Sequence, residues 1–296
     1  MSAAHGKNYH ADDRHTGQTL ATALRGWLTG KSWGDVKKLI AQRRVAVNGN
    51  LCVDAGRKLR ATDVVKVLEH PAAAPVEPHD VRVRYFDRHV VVVEKPPGVT
   101  STRHHEERDW PKRRKQMQPT LDEMLPHVLA RVGRRPVKGG RTPPVRAVHR
   151  LDRETSGLMV FARSPEAAAE LMQQFRQHST QRRYLAIALG DVAEQTIESR
   201  LVRDRGDGRR GSTTLANVGK HAVTHVRPLE SLPGYTLLEC RLETGRTHQI
   251  RIHLAEAGHP LCGEKVYNQP YAARRIVDNS RAPRVALHAA ELGFVH

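Results

Sequence analysis

Three residues carry most of the chemistry that the chain can offer. Asp152 stands in VHRLDRETSGLMVFAR, with His149 and Arg150 before it and Glu154 two residues after. A carboxylate among such cations is available in its charged form, which can serve as nucleophile or base at a sugar carbon. Asp152 and Glu154 also suggest a glycosidase couple. Residues i and i+2 of a strand point to opposite faces, however, so the two would not share a substrate. By itself the segment also reads as a salt-bridged surface turn. Arg251 lies in LETGRTHQIRIHLAEAGHPLCGEKVYN, residues 242–268. A strand over 237–242 and a Thr244–Gly245 turn precede a short helix, with Thr247 as its N-cap and Gly258 at its end. Arg251 is one turn from Thr247 and His248, where a guanidinium fixed on a helix can bridge a carboxylate bidentately. A structural arginine on a packed helix is the rival reading. Tyr184 leads into an apolar strand in QRRYLAIALG, and most such tyrosines are half-buried strand residues. The cluster His104, His105, Glu106, Glu107 is the candidate for a metal, but adjacent residues chelate one ion poorly, so no metal is expected.

The elements around these residues fall into zones. Residues 1–16 read as a flexible N-terminus. Over 17–69, Leu20, Leu24 and Leu28 form a helical stripe. A second helix is predicted over 32–43, with Ser32 as N-cap and Val36, Leu39 and Ile40 as its apolar face. Val45 and Val47, then Asn48–Gly49, read as a strand and a tight turn, and Val64, Val65 and Val67 as a closing strand. Residues 70–80, with Pro71, Pro75 and Pro78, form a linker. In 81–296, strands are predicted at Val90–Val93 (ending at Pro96–Pro97–Gly98), 160–162, 184–189 and 235–242. A helix is predicted over 165–178, with Leu171, Met172 and Phe175 inward. The mixture lacks a regular βαβ period, which favours α+β. Residues 103–147 form a basic insertion with 12 Lys or Arg against 5 Asp or Glu. It reads as a solvated mobile segment, as an RNA-contacting arm that orders on binding, or as both.

Composition narrows the function classes. The chain has 296 residues and a formal net charge of +18, which points to a polyanionic partner, nucleic acid first. With 39% apolar and 27% charged residues it is not disordered by composition. The run Val90–Val93 is far short of a membrane span, and Met1–Thr16 is polar, so neither a membrane nor a secretory signal is expected. Cys52, Cys240 and Cys262 are widely spaced, which fits a reducing cytoplasm rather than a disulfide scaffold.

Taken together and in order, the motifs resemble the RluA family of RNA pseudouridine synthases. HRLD with TSG (His149–Asp152, Thr155–Gly157), VVVEKPPGV (Val91–Val99), RRYLAIALG around Tyr184, GRTHQIRIHL with GHPLCGEKVY, and LHAAELGF (Leu287–Phe294) carry the likeness. Separately, Ser32–Val67, clearest at KKLIAQRRVAVNG, resembles the αL RNA-binding motif of a small-subunit ribosomal protein. Where that motif usually opens with a basic-Leu-Asp triplet, this chain has Gln18, Thr19 and Leu20. The resemblance implies a synthase core on a mixed, mainly antiparallel sheet with flanking helices, plus a small N-terminal αL domain. It implies that Asp152 acts on the ribose of a target uridine, either attacking carbon 1 or removing a proton from carbon 2. Tyr184 would stack on the uracil and assist loss of the carbon 5 proton, and Arg251 would pair with and orient Asp152. Arg150 would fill the gap that the extruded base leaves, with His149 and Ile250 at the pocket. Lys37, Lys38, Arg43, Arg44, Lys112, Arg113 and Arg114 would contact RNA backbone. No cofactor is implied. The expected partner is RNA, 23S ribosomal RNA first and transfer RNA second, met by a monomer in the cytoplasm. Glu264 stands where relatives usually carry Asp, and relatives usually continue beyond LGFVH with a further short strand. A non-catalytic RNA-binding or ribosome-assembly factor on the same fold is the alternative.

Overall fold

The computed structural model describes residues 7–48, 50–72, 76–104, 107–132, 145–269 and 276–296. They divide into two compact units: Met1–Pro75 with Asp109–Gln118, and Val76–Arg108 with Pro119–His296.

The first unit holds β1 (Lys7–His10), α1 (Leu20–Trp27), α2 (Trp33–Ala41), β2 (Val45–Val47), β3 (Asn50–Leu51), β4 (Val64–Val67) and α3 (Lys112–Met117). Thr19 caps α1 by accepting from the Thr22 amide at 3.1 Å. Ser32 opens α2 through a reciprocal box, its Oγ accepting from the Asp35 amide at 3.1 Å while Asp35 accepts from the Ser32 amide at 2.9 Å. The helix stops at Ala41, short of the predicted Arg43, because Arg43 adopts a left-handed φ of 62°. Leu20, Leu24, Val36 and Ile40 close one core with Val45, Val47 and Val65. The sheet runs β1-β4-β2-β3, antiparallel throughout. Val47 pairs with Asn50, leaving a two-residue turn in which Asn48 takes the positive φ that primed turns require. The expected flexible N-terminus is corrected over Lys7–His10, which pairs residue by residue with Val64–Val67. Tyr9 holds it there by stacking on Trp27 at 5.3 Å. Residues 1–6 lie outside the described residues.

The second unit is α+β. It comprises β5 (Arg82–Phe86), β6 (Val90–Lys95), α4 (Leu121–Val132), β7 (Arg146–Ala147), β8 (Ser156–Ala162), α5 (Pro165–Arg176), β9 (Gln181–Leu189), β10 (Gln195–Val202), β11 (Gly211–Thr213), β12 (Lys220–Leu232), β13 (Tyr235–Leu242), α6 (Gln249–Glu256) and β14 (Leu287–Gly293). One ten-stranded sheet runs β11-β10-β12-β13-β9-β14-β8-β6-β5, with β7 beside β8. Only β14 and β8 pair in parallel among these strands. That join attaches β8, β6 and β5 to the rest of the sheet, and it depends on Gly157. Its φ is 120°, and a Cβ there would sit 2.2 Å from the Ala289 carbonyl oxygen. Helix α4 lies within the stretch read as a basic insertion, and it is a core element. Leu121, Met124, Leu125, Val128 and Leu129 join β6, β8 and β9 in the main apolar cluster. Residues 133–144 of that stretch, with Arg134, Arg135 and Lys138, lie outside the described residues, as do His105 and Glu106.

Candidate active site

Asp152 sits in the loop between β7 and β8, and that loop is tied to the segment after β6. Ser101 Oγ donates to the Leu151 carbonyl at 2.8 Å and accepts from the Leu151 amide at 3.1 Å. On the other side of Asp152, the Gly98 amide donates to the Arg153 carbonyl at 2.8 Å, and Arg153 Nε donates back to the Gly98 carbonyl at 3.0 Å. Beneath both runs lies Lys95, fully buried, its ammonium donating to the carbonyls of Pro96, Val99 and Arg153 at 2.8–3.0 Å. Burial pushes this lysine down to about 7. The motif around Lys95 therefore holds the Asp152 backbone in place.

A guanidinium from α6 and an imidazole from its start face the carboxylate. Arg251 Nη1 lies 3.5 Å from Asp152 Oδ2, and His248 Nε2 lies 3.7 Å from Oδ1. Arg251 makes its bidentate bridge to a different acid: Nε and Nη2 donate to Glu264 at 2.7 and 2.8 Å. The fork geometry explains this, since Glu264 takes one whole edge of the guanidinium and leaves Nη1 for Asp152. Burial works against the charge of Arg251, but the Glu264 bonds and the two carboxylates hold it above its ordinary value. Glu264 is likewise opposed by burial and held low by Arg251. Its Oε1 also accepts from the Val266 and Tyr267 amides, at 2.8 and 3.3 Å. That turn brings the Tyr267 hydroxyl within 2.6 Å of His248 Nδ1. Burial keeps His248 below its usual range, with Asp152 opposing. Thr247 is not the N-cap of α6. His248 holds that position with a left-handed φ of 61° and no capping bond, while Gln249 Oε1 accepts from the Arg246 amide at 3.0 Å.

Tyr184 comes from the middle of β9, between Cys240 of β13 and Ala289 of β14. Burial pushes its phenol up to about 12, so it is neutral at any working pH. Asp152, Tyr184 and Arg251 line one cleft of about 470 Å³, together with Arg150, His149 and Ile250. Arg150 is exposed there and pairs with no described carboxylate. Ile250 is part of the apolar floor. His149 stacks on Phe175 at 4.5 Å and its Nε2 accepts from the Val160 amide at 3.0 Å. Burial pushes it down to about 3, so it shapes the wall as a neutral ring. Glu154 does not line the cleft and leans toward Arg153 at 3.8 Å; the two acids part because the loop between β7 and β8 turns them apart, not through strand alternation, since neither lies in a strand.

The remaining expected RNA contacts belong to the first unit. Lys37, Lys38 and Lys112 are exposed. Arg44 spends Nε on the Leu68 carbonyl at 3.1 Å, and Arg43 forms the stop of α2. The side chains of Arg113 and Arg114 lie outside the described residues. Tyr267, Lys95 and Ser101 were not singled out by sequence reasoning, and Glu264 and His248 were named there without a role. Glu264 and Lys95 stand inside its motifs, and nothing in their spacing reveals that they are buried.

Comparison with known proteins gives one answer. The family described as RNA pseudouridylate synthase matches residues 89–256. Ribosomal large subunit pseudouridine synthase D of Zymomonas mobilis subsp. mobilis is 35% identical, over 95% of this chain and 86% of its own length. The protein of that name from Nitrosomonas europaea is 32% identical, over 94% and 76%. The uncharacterised RNA pseudouridine synthase YlyB of Bacillus subtilis is 34% identical, over 94% and 84%. In structure, human RNA pseudouridylate synthase domain containing 4 shares the fold at a TM-score of 0.55 and 23% identity, over 71% of this chain and 83% of the human one.

Proposed function

We propose that this chain, which belongs to the RNA pseudouridylate synthase family, isomerises uridines in the RNA of the large ribosomal subunit, with Asp152 as the group that acts on the ribose. The observation that carries the assignment of roles is the convergence of Asp152, Tyr184 and Arg251, from three separate segments, on one cleft. The reaction breaks the bond from uracil nitrogen 1 to ribose carbon 1 and forms one from uracil carbon 5 to the same carbon. The carbon 5 proton is lost and nitrogen 1 gains one, so the reaction balances without a redox partner or group donor. Asp152, held between Arg251 and His248, attacks carbon 1 or takes the proton of carbon 2. Arg251 orients it, and Glu264 orients Arg251. Tyr184 stacks on the uracil, and its neutral hydroxyl assists the loss of the carbon 5 proton. Arg150, unpaired and exposed at the mouth, fills the space of the extruded base.

The names of the relatives favour large-subunit ribosomal RNA as substrate. The first unit supports the same reading. Its helix–helix–strand–turn–strand order, running from α1 at Leu20 to β4 at Val67, is the order of the αL pattern, with Lys37 and Lys38 exposed on α2 to meet phosphates. The site is complete within one chain, which fits a monomer, and the three buried free cysteines fit the cytoplasm. Among the described residues no helix is long and apolar enough to cross a membrane. The test is a pseudouridine map on unmodified large-subunit and transfer RNA transcripts. Chemical-adduct stops at discrete uridines of the large-subunit transcript are expected. Stops on transfer RNA alone would reassign the substrate, and stops on neither would favour a binding protein.

A further inference from the structure

We propose that a second cleft beside the catalytic one is a binding site for the phosphodiester backbone of the nucleotides next to the target uridine. It measures about 520 Å³ and is lined by Arg203, Arg210, Lys220 and Arg246, with Gly219 and Thr247 among the remaining residues. Among the described residues no carboxylate lines it. The two clefts share Gly245, Arg246 and Thr247, so they are neighbours on one surface. Arg246 is fixed at the boundary by donating Nε to the His221 carbonyl at 2.9 Å.

The acids nearby are committed elsewhere. Asp204 accepts from the Gly206 and Gly208 amides at 2.7 and 2.9 Å, and Asp207 is held by Arg205 at 2.9 Å. Glu256 accepts from the Ser212 amide at 2.9 Å, and Glu243 pairs with His225 at 2.7 Å. Arg203, Arg210 and Lys220 make no ion pair with any described carboxylate. Like charges gathered in one concave place repel one another unless an anion joins them. Arginine forks and a lysine point charge together suit a phosphate, and they read no base. Arg210 is near enough to His248 and Tyr267 for its charge to act on both. An anion seated on Arg210 thus lies next to the Asp152 wall, where the flanking backbone of a uridine in the catalytic cleft must pass.

The inference rests on the reading of the chain as an enzyme acting on uridine in RNA, and its test separates the two. Pseudouridine formation by the wild type tests that reading alone. The cleft is tested first by equilibrium binding of a ten-residue oligouridylate, which needs no turnover, in the wild type and in Arg203→Gln/Arg210→Gln/Lys220→Gln. Loss of three phosphate contacts is expected to weaken binding about tenfold or more and to reduce the salt slope by about two. In turnover, KM is expected to rise by a similar factor with kcat within about twofold, since none of the three residues touches the reacting atoms. Position is tested with methylphosphonates that neutralise, one at a time, the three phosphates on each side of the target. The wild type is expected to lose affinity at one or more of them, and the triple variant to lose almost none there. An unchanged salt slope in the variant overturns the proposal. So does a variant that retains the full penalty of the wild type at every neutralised phosphate.

Discussion

Asp152 is oriented by partners that are themselves held in place. Arg251 and His248 approach its two oxygens, Glu264 fixes Arg251, and Tyr267 fixes His248. This makes Glu264 the most sensitive supporting residue. Glu264→Ala would leave a buried guanidinium without its nearer counter-charge, a loss of about 3–5 kcal/mol. A thermal melt should show a drop on the order of 10 °C. Glu264→Gln keeps the shape and an acceptor, so it should melt closer to wild type while turnover falls, because Arg251 is then free to rotate. A Glu264→Ala protein that melts like wild type would show that the fork carries no stability. The spacing of Arg251 in the sequence gives no sign that its fork points at Glu264 rather than at Asp152. A guanidinium has two bidentate edges, and only the tertiary path of 259–267 decides which acid meets which edge.

Helix α6 illustrates why some elements were readable and others were not. Its seven residues Gln249–Ala255 are all buried, polar ones included. Gln249 donates to the Val223 carbonyl and to Thr224 Oγ1 at 2.9 and 3.0 Å, and His253 bonds to Ser199 and Thr224, both at 2.9 Å. Such a helix has no amphipathic stripe, so the turn before it and Gly258 after it made it legible while its complete burial was not. Helix α4 is the opposite case. Its buried positions 121, 124, 125, 128 and 129 follow helical spacing, but a count of charge over 103–147 hides them. The strands at Val90, Tyr184 and Tyr235 were legible because each carries apolar residues in strand order. The strand at Lys7–His10 was not, because its only apolar anchor is Tyr9. Gly157 gives a prediction for the sheet itself. Gly157→Ala forces a Cβ into the β14 backbone at a positive φ, so a loss of roughly 2–4 kcal/mol is expected. Thermal unfolding of the variant measures it, and a wild-type melting curve would contradict the close approach of β8 and β14.

The excess of 49 Lys and Arg over 31 Asp and Glu gives the chain a field suited to RNA, and binding should weaken steeply with salt. Its response to acid follows from histidines buried as neutral rings. Burial holds His253 at about 4, below its unfolded value near 6.5. Between those values the unfolded chain binds more protons, so stability is lost as pH falls through that window. His253 alone should cost roughly 2 kcal/mol at pH 5 relative to pH 7. His253→Gln should therefore flatten the acid side of a stability-against-pH curve, even if it lowers the plateau. A variant with the same acid slope as wild type would remove His253 from the account.

The most direct test of the central claim compares wild type with Asp152→Asn. RNA transcribed with tritium at uracil carbon 5 releases label when pseudouridine forms, and filter binding of the same RNA reports affinity. Asp152→Asn is expected to release no label above background while binding RNA within about threefold of wild type, since a carboxylate proposed to act on the ribose grips no phosphate. Release near the wild-type rate by Asp152→Asn would contradict the assignment of Asp152 as the group that acts on the sugar.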